Sequence, residues 1–371
     1  MRVSSVSADR FRSLEGVVIE LGEGTTAIFG PNGSGKTNLL EAAYFGLTGR
    51  SFRTADRRDL IPFGGDHARV RVEVEDEGGV SHEFLTATSR TEQTRTTLDG
   101  AKVERAEAAV HRPAVTVFSP DRLELVKGPP ALRRAHLDRF LGARWQSRAD
   151  LRQEYGRTLA QRNALLSAIA RGDGSPGGLD TWDAQLARTG ARLAEAREEA
   201  TELLAPAYEE VSSNLGLEGP NGLSYRPAAG TTEAALLAGF GERRERDIEA
   251  GRTTWGPQND ELRLERDGRQ LRRFGSQGQQ RLGLLALLFA ERRVLAQAGN
   301  PTPLLLLDDV MSELDSTRRD SLIDLLSLGG QAMISAAEED LLPDDAEMTR
   351  VSIAELLGTR STATTEGGAK G

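Results

Sequence analysis

The 371-residue sequence contains no cysteine. Disulfides and thiolate metal sites are therefore excluded, and a reducing compartment suits the chain. Its four histidines, His67, His82, His111 and His136, are too scattered for a metal cluster. Lysine is scarce: Lys36, Lys102, Lys127 and Lys370 stand in a chain that otherwise carries its positive charge on arginine. Aromatic residues make up 5%, with no interleaved set that would stack the bases of a single strand. The longest apolar run, 282–290, is too short to span a bilayer. The opening RVSSVSADRF reads as a strand rather than the apolar core of a signal peptide. These absences point to a soluble, cytoplasmic protein.

A hydrophobic content of 38% is enough for one large or two medium domains with real cores. The net charge of −9 argues weakly against nucleic acid as a partner. Phosphates respond to local potential, however, so clustered arginines can outweigh the total.

Residues 1–128 mix short strand patterns with one helix. TTAIFG (25–30), ARVRVEVED (68–76) and AVTVF (114–118) read as strands, and KTNLLEAAYFGL (36–47) as a helix. From about 130 to 217 long helices dominate, and residues 218–256 are Gly/Pro-rich and then polar. Two segments of about 39 residues each, 132–170 and 179–217, flank the breaker RGDGSPGG and predict a long antiparallel hairpin. An ordinary helical domain and a true coiled coil fit this pattern about equally. Pro206 is expected to break or kink the return helix. From 250 to 360 an α/β pattern resumes, with strands at 261–268, 303–310 and 331–336 and a helix at about 316–328. The tail 361–371 reads as disordered. The fold class expected is α/β, with a helical insertion at 129–249.

GPNGSGKT matches G-x-x-x-x-G-K-[ST] in full, between a strand and a helix. Gly30, Pro31, Asn32, Gly33, Ser34 and Gly35 let the backbone wrap a phosphate, and Asn38 lies just inside the following helix. Lys36 reaches the β- and γ-phosphates of ATP, and the Thr37 hydroxyl is offered to Mg2+. LLLLDD (304–309) is a strand buried on both faces that ends in acids, where α/β sheets place ligands. Asp308 is the expected Mg2+ partner; Asp309 polarises the attacking water or holds Mg2+ through water.

A second phosphate-facing helix start, with no lysine and no carboxylate of its own, occurs at Ser276, Gln277, Gly278 and Gln279. Taken alone it is a capped core helix. Placed after a complete P-loop, it is expected to serve the nucleotide of a second chain, with two nucleotides sandwiched head-to-tail.

An N-terminal P-loop, an inserted helical hairpin and a serine-led loop about 25 residues before the acidic strand resemble the ABC-type ATPase heads of the SMC-like superfamily. DRFRSLEGVVIEL, GRSFRT, FSPDRLELVKGPPALRRAHLD, GSQGQQR and LLLLDDVMSELD are similar to the RecF recombination-mediator family. The resemblance implies an ABC-type head at 1–128 and 250–360 with an inserted arm, and a D-loop in which Ser312 and Asp315 lie at the dimer seam. It also implies slow Mg2+-dependent ATP hydrolysis, an ATP-dependent homodimer, DNA binding without sequence preference, RecR and RecO as partners, and help in loading recombinase at single-strand gaps.

Three positions depart from the family pattern. Gln258 and Asn259 in GPQND lack the usual basic pair. Asp121 and Arg122 follow the serine-proline of SPDR. ISAAEED holds no histidine that would sense a γ-phosphate, leaving Ser335 as a weak substitute. Candidate DNA contacts are Arg53, Arg57 and Arg58 after the P-loop helix, and Arg133 and Arg134 at the base of the arm. Arg12 could approach either a nucleotide or a DNA phosphate.

Overall fold

A computed structural model describes residues 1–103, 112–119, 123–327, 329–343 and 346–358. Arg122 and the tail 361–371 lie outside the described residues. The chain divides into two compact units, Met1–Arg122 with Pro301–Gly371, and Leu123–Asn300.

The first unit carries a five-stranded, all-parallel sheet. Its order is Met348–Ser352, Thr25–Phe29, Ala332–Ala336, Leu304–Leu307, Val115–Phe118. Every residue of Leu304–Leu307 and Ala332–Ala336 is buried, as expected of parallel strands covered on both faces. The helix Lys36–Thr48 packs between this sheet and a second, antiparallel one. The antiparallel sheet runs Val17–Glu20, Arg2–Asp9, His67–Glu75, Ser81–Ser89, Arg95–Leu98, Ala101–Lys102. In His67–Glu75 the even-numbered residues Ala68, Val70, Val72 and Val74 enter the core, while Arg69 and Arg71 face solvent.

Helix and sheet meet at Gly46, where a Cβ would lie 2.4 Å from Val72 Cγ2 and 2.9 Å from Val70 Cγ1. Thr86 Oγ1 donates to the Gly46 carbonyl at 2.8 Å in the same contact. Gln331 ties the two sheets together. Its amide accepts from Val3 N at 2.6 Å and donates to the Val3 and Gly22 carbonyls, each at 2.7 Å.

At the far end of the antiparallel sheet, His82 Nδ1 lies 2.8 Å from Asp99 Oδ2. That hydrogen bond, more than attraction to Asp99 and Asp76, raises the imidazole above its ordinary value of 6.5, against partial desolvation. A raised folded value means that stability from this contact is complete below 6.5 and is lost as pH rises through the raised value. In an NMR titration the His82 imidazole is expected to titrate above 6.5, and Asp99→Asn should return it towards that value. An unchanged midpoint in Asp99→Asn would refute the assignment.

The second unit is built around the helix Leu179–Asn214, about 54 Å long at 1.5 Å per residue. It packs against the helices Leu151–Ala170, Gln277–Gln297, Glu233–Glu242 and Pro130–Arg144, and against the strand Asn221–Arg226. That strand belongs to a small antiparallel sheet with Glu261–Arg266 and Arg269–Gln270.

Two expectations change here, and two open alternatives narrow. The first arm segment is two helices, Pro130–Arg144 and Leu151–Ala170, separated by a turn at Gln146–Arg148. Trp145 sits in that break beneath the guanidinium groups of Arg144 and Arg148. Pro206 does not break the return helix, which runs through it for 36 residues. Packing on several sides holds that helix where one lost backbone hydrogen bond would otherwise loosen it. The hairpin is accordingly part of a compact helical unit, not a free coiled coil. Finally, residues 250–300 group with the helical unit rather than with the P-loop, because Glu261–Arg266 pairs with Asn221–Arg226 and Gln277–Gln297 lies along Leu179–Asn214.

Candidate nucleotide site and signature loop

The P-loop follows directly from the strand Thr25–Phe29. Gly30, Gly33 and Gly35 have φ of 145°, 81° and 109°, conformations that would strain any residue with a Cβ. Pro31, Asn32 and Gly33 are exposed at the tip. The Ser34 hydroxyl is buried with no hydrogen-bond partner among the described residues, an orphan that a phosphate oxygen would satisfy. Lys36 Nζ donates to the Gly30 and Pro31 carbonyls at 2.5 and 2.9 Å, folding its ammonium back over the loop. Burial pushes the Lys36 pKa down, against the attraction of Asp309 and Asp308.

The register of the parallel sheet brings the acids to this loop. Leu307 pairs with Ile334 and Phe118, and Ile334 pairs with Ala27, so four strands run in register side by side towards the loop. Asp308 is 7% exposed and its Oδ1 accepts from Thr37 Oγ1 and from Ser335 Oγ, each at 2.8 Å. Burial raises its pKa, opposed by those two hydrogen bonds. A hydroxyl and a carboxylate in contact are the hard oxygen donors that Mg2+ takes alongside phosphate oxygens.

Asp309 has φ of 50°, its backbone N–H donates to Ser335 Oγ at 2.8 Å, and its side chain accepts from Ser312. Ser335, read from the sequence as a weak substitute for a sensing histidine, is buried, donates to the Asp308 carboxylate and accepts from the Asp309 backbone. Asp315 is exposed and accepts from Arg318 N at 3.0 Å at the start of the helix Ser316–Ser327.

Sequence reasoning missed Glu41. It is fully buried on the P-loop helix and accepts from Arg12 at 2.9 and 2.8 Å, from Ser51 at 2.5 Å and from Arg53 at 3.3 Å. Arg12, with φ of 53°, is thus clamped beside the P-loop helix rather than free in solvent. Arg53 also donates to Asn38 Oδ1 at 2.9 Å, and its charge favours the ionised form of Asp308. Asn38 in turn donates to Ser13 Oγ at 2.8 Å. The available signal was an acid within the apolar run NLLEAA, where an unpaired carboxylate would be costly.

The remaining arginines separate by burial. Arg58 is exposed and bound to both oxygens of Asp56, which holds that carboxyl down to about 2. Arg57 is partly buried. Arg133 is a correction. It is 3% exposed, paired with Glu261 at 2.7 Å, and donates to the Leu125, Val126 and Gly128 carbonyls. A guanidinium so occupied locks a helix start and is out of reach of DNA. Arg134 is partly buried and donates to the Asp260 carbonyl at 2.7 Å.

In the second unit Ser276 caps the helix Gln277–Gln297. Gln279 N donates to Ser276 Oγ at 3.2 Å while Ser276 N donates to Gln279 Oε1 at 2.9 Å, a reciprocal capping box. Ser276, Gln277 and Gly278 are exposed, whereas the helix behind them is largely buried. In GPQND, Gln258 accepts from the Tyr155 hydroxyl and Asn259 donates to the Thr254 carbonyl at 3.0 Å, so both side chains serve internal contacts.

The RecF/RecN/SMC N-terminal domain family matches residues 2–356. The DNA replication and repair protein RecF of Moorella thermoacetica is 37% identical over 341 residues, covering 90% of this chain and 89% of the relative. The chain belongs to the RecF family. RecF of an Anaeromyxobacter species (strain Fw109-5) is 39% identical over 355 residues, 92% of this chain and 94% of its own. A solved structure of the recombination mediator protein RecF-ATP in the RecFOR pathway superposes with a TM-score of 0.80 at 27% identity, covering 95% of this chain and 96% of that one. A Pyrococcus furiosus Smc head domain, at TM-score 0.61 and 18% identity over 96% and 94%, shares the fold. The fold is that of an ABC-type ATPase head. No helix among the described residues is long and apolar enough to cross a membrane.

Proposed function

We propose that the chain is an ATP-dependent DNA-binding switch of recombinational repair. ATP occupies the P-loop, Lys36 leaves the Gly30 and Pro31 carbonyls for the β- and γ-phosphates, and the Ser34 hydroxyl gains a phosphate partner. Thr37 and Asp308 would hold Mg2+, which neutralises charge on the phosphate oxygens. Asp309 orients the attacking water. Ser276–Gln279 of a second copy closes on the γ-phosphate, so that ATP closes a homodimer on duplex or gapped DNA and slow hydrolysis opens it. The observation that carries this reading is the Thr37–Asp308 contact, which joins the two halves of a phosphate–metal site across 271 residues of chain.

DNA contact without sequence preference falls to the exposed Arg53 and Arg58 and the partly buried Arg57 and Arg134. The relatives named as DNA replication and repair proteins, and the one named in the RecFOR pathway, support RecR and RecO as partners and loading of recombinase at single-strand gaps. A cytoplasmic location accords with that role. An SMC-like tether is disfavoured because Leu151–Ala170 extends only about 30 Å. A transport ATPase subunit is the weaker alternative.

The test mixes two inactive variants, Lys36→Met and Ser276→Arg, with gapped duplex DNA. In the heterodimer one composite site carries both lesions and the other is intact. Recovery of ATP hydrolysis on mixing, reduced when DNA is withheld, is the expected result. A mixture that stays inactive while the unaltered protein turns over rules out independent sites completed in trans.

A further inference from the structure

Immediately before the signature serine lies a cavity of about 380 Å³ that no step above uses. Its walls include Arg266, Asp267, Arg269, Phe274, Gly275 and Gln279. Phe274 ends the short helix Leu271–Phe274 and is 66% exposed, while Leu271 beside it is buried and anchors the turn. Arg266 and Arg269 flank a tight hairpin turn at Asp267 and Gly268, whose φ values are 51° and 70°. Arg266 Nε donates to the Glu218 carbonyl at 2.5 Å and lies 3.6 Å from Asp267 Oδ2, so its guanidinium is held in place. Arg269 forms no ion pair among the described residues. Gln279 is both a wall of the cavity and half of the capping box that fixes Ser276. The cavity and the signature loop therefore share a wall.

An exposed aromatic face beside Arg269, with Arg266 already paired to Asp267, in a cavity within the range that small ligands fill, suits a nucleoside phosphate. The base has a π face to stack, and the ribose phosphate has negative charge to meet. We infer that this cavity receives the base and ribose of the nucleotide held on the second copy's P-loop, with the base stacked on Phe274 and Arg269 directed at the ribose phosphate. The inference rests on the trans arrangement proposed above. It adds that the second copy senses the base and ribose of the bound nucleotide, and not only whether a γ-phosphate is present.

Sedimentation velocity in Mg2+ would measure the nucleotide concentration that half-dimerises each protein, with ATP and with ribose 5′-triphosphate, which lacks the base. Loss of one base–aromatic stack corresponds to about tenfold. The unaltered protein should need about tenfold more ribose triphosphate than can be explained by its tighter monomer binding of ATP. Phe274→Ala should need about tenfold more ATP and lose that extra discrimination, and Phe274→Tyr should restore both. ADP affinity of the monomer should be equal in all three, because the P-loop is untouched. Phe274→Ala dimerising at the unaltered ATP concentration overturns the inference and leaves the trans reading standing. Absence of ATP-driven dimers in the unaltered protein overturns the trans reading itself. Weaker single-stranded DNA binding by Phe274→Ala with dimerisation intact would assign the cavity to a DNA base instead, and overturns the proposal too.

Discussion

Asp308→Asn is expected to lower Mg2+-dependent ATP hydrolysis by about 100-fold or more, the scale of losing a preorganised charge from a transition state. The folded chain should tolerate the change well. Asp308 is nearly buried and its carboxyl is pushed towards the neutral form. An amide removes a desolvated charge, and the Thr37 and Ser335 hydroxyls that now donate to Asp308 can rotate to accept instead. Nucleotide-free thermal stability should therefore stay within about 1 kcal/mol of the unaltered protein. The two measurements separate chemistry from folding. Turnover within fivefold of the unaltered rate, in a variant that melts normally, would remove Asp308 from the metal site.

The largest effect on stability should come from Arg162→Met in the helical unit. Arg162 is 0% exposed and donates to Asp183 at 2.7 Å, to Asp247 at 2.7 Å and to Thr253 at 2.8 Å, with its guanidinium carbon 5.1 Å from the centre of the Phe240 ring. Methionine leaves two buried carboxylates facing each other without their shared cation. Breaking such a buried pair costs about 3–5 kcal/mol, far more than an exposed one. Asp183 keeps Arg244, and Asp247 keeps Thr254, so the loss should fall short of abolishing the fold. Arg162→Met combined with Asp183→Leu and Asp247→Leu should recover part of it, since no orphaned charge then remains. Urea unfolding followed by the fluorescence of Trp255, which stacks edge-on against Phe240, reports on this region. A single-variant loss below about 1 kcal/mol would show that water reaches the carboxylates.

Much of the nucleotide site was legible because its determinants are local. A strand, a glycine loop and a helix follow one another within residues 25–48, and LLLLDD states both its burial and where its acids emerge. The capping box at Ser276 and Gln279 was equally local, and the default reading of a capped helix describes its geometry. Arg133 misled for the converse reason. A cation at a helix start has the same sequence appearance whether it meets solvent or, as here, three carbonyls and Glu261, which lies 128 residues away. The Glu41 cluster needed Arg12, Ser51 and Arg53 to converge from different loops. The strand Asn221–Arg226 escaped notice in a Gly/Pro-rich segment because its partner Glu261–Arg266 lies beyond two intervening helices.

By itself, then, the sequence determined the chemistry on offer: a phosphate loop with its lysine and hydroxyl, an acidic strand end, a capped serine loop and a family membership written in several motifs. Periodicity and loop composition act over a few residues, and those features need no more than that. Tertiary structure alone decided which charges are available. It buried Arg133, Arg162 and Glu41 in ion pairs, turned Ser335 onto Asp308 and Asp309, and left Phe274 exposed beside Arg269. Whether a charged side chain is a contact or a brace depends on which distant groups meet it in the low-dielectric interior, and only the packed chain brings them together.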